Sequence, residues 1–254
     1  MSFFRVATIC IIVTLAACPA FGAGEESDVS GTVSNKNLIK KSSNKAIGGL
    51  GGATANMGSV QIKESDISGT VNNDVKIESS ENTAVGAAGA ATANMGTVQI
   101  RKSDISGTVS NTADIKKSSN KAVAVAGAAT ANMGSVQVKD SDITGEVRND
   151  AIIEGSSNSA VGTGGAALAN MGSVQIEKDA DVSGSVENTA TIDGSQNSAV
   201  GVLGAATANM GSVQVQDSVV TGTIQNESTI EDSSNTAVSA AGAATANMGT
   251  VQVK

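Results

Sequence analysis

The sequence predicts an all-β fold, a β-solenoid of six tandem units of about 38 residues, on three observations. Methionines recur at 57, 95, 133, 171, 210 and 248, spaced by 38, 38, 38, 39 and 38 residues. Inside a unit, apolar residues alternate with polar ones at the strand period of two, not at helical spacing. Between the alternating runs lie clusters of Ser, Asn and Gly, the residues of tight corners.

The first element precedes the repeats. Residues 1–22 read as a secretory signal peptide: Arg5 is the positive leader, residues 6–17 form an apolar run, and Ala20-Phe21-Gly22 offers small residues for cleavage. That run is too short to span a bilayer. A lipoprotein signal over residues 1–17 is the alternative, because Leu15-Ala16-Ala17-Cys18 matches a lipobox and would leave Cys18 acylated, although Pro19 directly after it is awkward. The expected location is therefore extracellular or on the outer cell surface, lipid-anchored in the outer membrane in the second case. Residues 23–26 form a short lead-in, and the units run 27–64, 65–102, 103–140, 141–178, 179–217 and 218–254.

Removing residues 1–22 takes away all three Phe, both Cys and the only Pro, and the chain has no His. The remainder carries 15 basic against 24 acidic residues, a formal charge of −9, since Arg5 is the only charged residue lost. That acidity argues against nucleic acid and anionic membrane surfaces, which require clustered Lys and Arg.

Unit three shows how a unit is built. Ile105, Gly107, Val109, Asn111, Ala113 and Ile115 alternate with polar neighbours, and a turn follows at "KKSSN". Alternation resumes from Ala122 to Ala131, and Asn132-Met133-Gly134 turns the chain into Val136-Gln137-Val138. Three or four short strands per unit are expected. The single 39-residue step comes from an extra residue around Asp179-Ala180, where the usual "SDI" reads "DADV".

One such unit buries too little apolar surface to offset the ordering of its own backbone. Stacking on both faces completes the backbone ladders and shares the interior, so stability becomes a sum over neighbours. Identical residues then form columns. Asn44, Asn82, Asn120, Asn158, Asn197 and Asn235 make one amide column; Asn56, Asn94, Asn132, Asn170, Asn209 and Asn247 make another. Stacked amides can bond from unit to unit. Met57, Met95, Met133, Met171, Met210 and Met248 are expected to fill an irregular corner void. Gly58, Gly96, Gly134, Gly172, Gly211 and Gly249 are expected to supply positive φ at that corner.

Charges test the register. Lys40, Glu78, Lys116 and Glu154 alternate in sign along one column, though Asp193 and Glu231 continue it with acids. Asp28, Asp66, Asp104, Asp142 and Asp181 form a column of one sign that must face water at a corner or bind cations such as calcium. The Asn residues at unit positions 18 and 30 favour two triangular coils of about 19 residues per unit over a single serpentine layer.

No catalytic constellation emerges, so an enzyme is not expected, and neither is a cofactor or structural metal. Ser-His-Asp chemistry needs a His or an equivalent base, and zinc sites need Cys or His. Carboxylate pairs could hydrolyse glycosides, but no aromatic platform survives and every corner repeats at one length. "GGLGG" at residues 48–52 lacks the Lys-Ser/Thr ending of a phosphate loop and reads as a tightly packed strand. Thr54, Thr92 and Thr130 form a short column that Leu168 interrupts, which argues against an ice-binding face.

Asn-x-Ala at Asn120–Ala122 and Gly-x-Val-Gln at Gly134–Gln137 are similar to signatures of curli-type subunits. The unit length, with Asn followed two residues on by Gly-x-Val, resembles Fap-type fibre subunits. The likeness covers all six units. The units here follow one another without linkers and the chain holds no Cys-x-x-Cys, both unlike the Fap pattern, and curli repeats are shorter. The resemblance implies a bacterial extracellular fibre subunit working in biofilm or adhesion. Unit six runs through Val251-Gln252-Val253-Lys254 with no polar capping stretch, so its strand edges are expected to template another copy. The expected partners are a second copy of the chain and a secretion machinery. A monomeric adhesin or carbohydrate binder, using one flat face on a surface glycan, is the alternative.

Overall fold

The computed structural model describes residues 27–254; the signal segment, Cys18 and residues 23–26 lie outside the described residues. Each unit contributes four strands, in unit three Ile105–Lys116, Ser119–Ala124, Ala129–Met133 and Val136–Lys139. Each strand pairs in parallel with its counterparts in adjacent units, giving four six-stranded sheets. We number these sheets one to four in chain order within a unit. Ile105 lies beside Ile143, Asn120 beside Asn158 and Met133 beside Met171, so the register is the repeat itself.

One unit is therefore one coil. Two coils of about half the length would pair strands within a unit, whereas every ladder joins residues 38 or 39 positions apart. The Asn residues at unit positions 18 and 30 both belong to this single circuit, on adjacent strands that face each other, and do not mark corners of two triangles. Residues 49–52 correct a second expectation. They form the bend joining strands Ser43–Gly48 and Ala53–Met57 rather than a strand. Glycine is required because successive bends nest closely: a Cβ on Gly89 would stand 2.6 Å from the Gly51 carbonyl carbon.

Three interiors follow from the sizes of the inward residues. Val60, Ile62, Val98 and Ile100 of sheet four pack on Ile67, Val71, Ile105 and Val109 from the first half of sheet one. The apolar residues between sheets two and three are all alanines, among them Ala84, Ala91, Ala93 and Ala122. Such small side chains let the two sheets approach near enough for an amide to bridge them. Where the circuit widens at the end of sheet three, Met95, Met133, Met171 and Met210 fill the space against Ile77, Ile115, Ile153 and Ile192. The flexible thioether suits that uneven gap.

Three of the four corners of each coil pass through a residue of positive φ. Gly58, Gly96, Gly134, Gly172, Gly211 and Gly249 have φ of 58–61° directly after the methionines. The extra residue of unit five is absorbed where Lys178 and Asp179 both take φ of 57°, and the ladder resumes at Asp181.

Candidate functional site

The ladders predicted from the sequence are formed. Asn82 donates to Asn120 Oδ1 at 2.9 Å, Asn120 to Asn158 at 2.9 Å, and the column runs unbroken from Asn44 to Asn235. Asn120 Nδ2 also reaches across to the Asn132 carbonyl at 2.9 Å and to Ala93 O at 3.0 Å. A buried amide whose hydrogen bonds are met on both sheets ties sheet two to sheet three as well as rung to rung. The second column donates in the opposite sense, with Asn132 giving to Asn94 Oδ1 and Asn170 to Asn132 Oδ1, each at 2.9 Å.

Two further amide ladders belong to the same design. Asn35, Asn73, Asn111, Asn149, Asn188 and Asn226 stack inside the long strands at 2.7–2.9 Å. Gln61, Gln99, Gln137, Gln175, Gln214 and Gln252 stack in sheet four at 2.7–3.2 Å. Both recur at the methionine period, so the same counting could have found them.

The Gln column gives the surface its shape. Asn94 Nδ2 donates to Gln99 Oε1 at 3.1 Å, and Asn170 to Gln175 at 2.8 Å, on the outer side of the Met-Gly corner. Outer side chains can meet across a corner only where the corner folds outward, so sheets three and four enclose a groove along the stack. Over units four to six it measures about 270 Å³, with Leu168, Thr207 and Thr245 on one wall and Glu177, Gln216 and Lys254 on the other. Farther along that second wall, Lys63, Arg101 and Lys139 lie directly beside one another. Burial and the neighbouring Lys178 and Arg101 push the Lys139 ammonium below the usual lysine range.

The charge column pairs as its signs require. Lys40 meets Glu78 at 3.1 Å and Lys116 meets Glu154 at 2.9 Å. Hydrogen bonding from Lys40 holds the Glu78 carboxyl below the ordinary range, and hydrogen bonding to Glu154 raises the Lys116 ammonium. Asp66, Asp104, Asp142 and Asp181 are exposed, and among the described residues no group of three or more His, Cys, Asp or Glu is placed to hold a metal ion.

The two end rungs complete the site. Strands Ser27–Lys40, Ser43–Gly48, Ala53–Met57 and Val60–Lys63 form one end. Strands Val219–Glu231, Ser234–Ser239, Ala244–Met248 and Val251–Val253 form the other. Among the described residues, nothing pairs with the outer edge of either. No family model, curated protein or solved structure matches the chain.

Proposed function

We propose that the protein is a secreted bacterial structural repeat protein that polymerises head to tail, as an amyloid-like fibre subunit of the extracellular matrix or biofilm. One observation carries this reading: each end rung offers what the other lacks. At the first rung Asn44 Oδ1 has no partner among the described residues, while Asn235 Nδ2 at the last rung has no further Oδ1 to bond. Unpaired strand edges at both ends add backbone donors and acceptors in the same register, a template for another chain. The secretory pattern of residues 1–22 supports an extracellular place of work. We read the stacked amides and apolar interiors as a scaffold rather than an enzyme.

Sedimentation of the mature protein over hours, with electron microscopy of the product, tests the reading. Growing polymers of uniform width are expected; a persistent monomer without fibres would overturn it. Mass spectrometry of the mature N-terminus distinguishes a free start near Ala23 from acylation at Cys18.

The groove favours a second reading, a monomeric adhesin or carbohydrate-binding solenoid. Its floor of stacked amides and its column Lys63, Arg101 and Lys139 suit an extended, anionic surface glycan. Glycan binding by a chain that does not polymerise would favour this reading over the first.

A further inference from the structure

We infer that opposite charges on the two end rungs fix the polarity and register of the junction between copies, so that the acidic rung of one chain docks only on the basic rung of the next. This rests on the head-to-tail reading and names its partner surface, a second copy of this chain.

The ends differ sharply in charge. Residues 27–63 contain five lysines against one acid, and residues 219–254 contain three acids against one lysine. The register decides where those charges meet. Following the ladders down from Glu227 leads through Thr189, Asp150, Thr112 and Asp74 to Lys36. The same path from Glu231 passes Asp193, Glu154, Lys116 and Glu78 to Lys40. Asp232 and Lys41 occupy one corner of the circuit, with φ of 45° and 49°.

One more rung, laid in unbroken register, therefore places Lys36, Lys40 and Lys41 of an incoming copy against Glu227, Glu231 and Asp232. The geometry has precedents inside the chain: Lys36 meets Asp74 at 3.1 Å, and Lys40 and Lys116 pair with the acids in the next rung. The column Glu154, Asp193 and Glu231 ends on three acids in succession, and Lys40 of the next copy would restore its alternation. A single like pair, Lys254 against Lys63, opposes. Two basic ends, or two acidic ends, would bring faces of like charge together and would reverse the strand direction across the junction.

Lys36 and Lys40 are more than half exposed, so these contacts act mainly on approach and orientation, while the amide and backbone ladders supply affinity. Salt should weaken the selection.

Seeded fibre elongation by the full chain at low salt is the test. Asp232 and Lys41 face Gly194 and Ser79 within the chain, so changing their charge breaks no internal pair. Asp232→Lys and Lys41→Glu should each slow elongation, and the chain carrying both should recover the wild-type rate. The triple variant Glu227→Lys, Glu231→Lys, Asp232→Lys should elongate about tenfold more slowly, with the gap closing at high salt. Far-UV circular dichroism confirms that each variant is folded. Wild-type fibres with every variant elongating at the wild-type rate would overturn the charge selection and leave head-to-tail assembly standing. Failure of the wild-type chain to form fibres would overturn both.

Discussion

Met133 and Met248 sit at the same place in two copies of one short motif, "ATANMG", yet the first is fully buried and the second 42% exposed. Their neighbours differ in the same way. Asn120 bonds to both adjacent rungs, whereas Asn235 has only the rung before it. Nothing in the local sequence accounts for the difference, so burial here belongs to the stack and not to the unit. An interior rung is finished on two faces, whereas among the described residues an end rung is paired on one, so its side chains have fewer neighbours to stabilise them. Matched substitutions, one interior and one terminal, can break or sharpen this contrast.

The largest effect should come from glycine. Gly107 has φ of 140° near the start of its long strand, and an added Cβ would overlap the Gly69 carbonyl oxygen below it. Gly31 holds the equivalent conformation at φ of 132°, but a Cβ there meets nothing within 4 Å. Gly107→Ala should cost more than about 4 kcal/mol, since backbone must shift to admit it. Gly31→Ala should show only the conformational strain, about 1–3 kcal/mol. Thermal melts followed by far-UV circular dichroism read both, and equal losses would mean that strain rather than stacking governs the column.

Methionine comes next. Met133→Ala empties a closed space among Ile115, Ala113 and Ile153 and should cost about 2–5 kcal/mol. Met248→Ala removes a side chain already half in water and should cost about 1 kcal/mol or less. If fibres form, the Met248 penalty measured in the polymer should rise towards the interior value. A Met248 penalty identical in monomer and fibre would show that the junction does not bury that rung.

The period, the strand character, the two amide columns and the role of the glycine after each methionine were legible in the sequence, because each rests on a residue type repeated at one interval. The number of coils was not. Asn120 and Asn132 are 12 residues apart and look like two separate corners, but they sit on facing alanine-lined sheets close enough for the Asn120 side chain to bond the Asn132 carbonyl. That closeness depends on how small the facing residues are, a pairwise property that a single-strand reading does not contain. The bend at residues 49–52 was hidden for a similar reason. At the equivalent Gly89 and Gly127 glycine answers to the backbone of the preceding rung's bend rather than to its own strand. The groove was missed because alternation marks inside from outside but not a corner that folds outward, which the repeated Asn–Gln contacts such as Asn94–Gln99 and Asn170–Gln175 reveal.

Asn120→Ala should cost about 1–3 kcal/mol, because it leaves the Ala93 and Asn132 carbonyls and the amides of Asn82 and Asn158 short of a partner. Asn44→Ala at the open end removes one ladder bond and one bond to a carbonyl in an exposed setting, for about 1 kcal/mol. Hydrogen exchange should show the interior change spreading to both adjacent rungs and the terminal change confined to one. Symmetric loss at both sites would weaken the distinction between finished and unfinished rungs.

The smallest effect is electrostatic. Glu78 is held below its ordinary range by Lys40, so its contribution to stability is present above the unfolded carboxylate range and is lost as pH falls through the folded value. Lys116, raised by Glu154, behaves oppositely: its contribution is present below the ordinary lysine range and disappears as pH rises through the folded value. Both groups are half-buried with their charged ends open to solvent, so each pair should move the melting temperature only slightly, and less in high salt. Glu78→Gln should flatten part of the acid limb of a low-salt profile of melting temperature against pH. Glu231→Gln breaks no internal ion pair, because its partner in register is Asp193, so the monomer's melting temperature at low salt should not fall. If fibres form, the same substitution should acquire a cost there, since Lys40 of the next copy would then have lost its counter-charge.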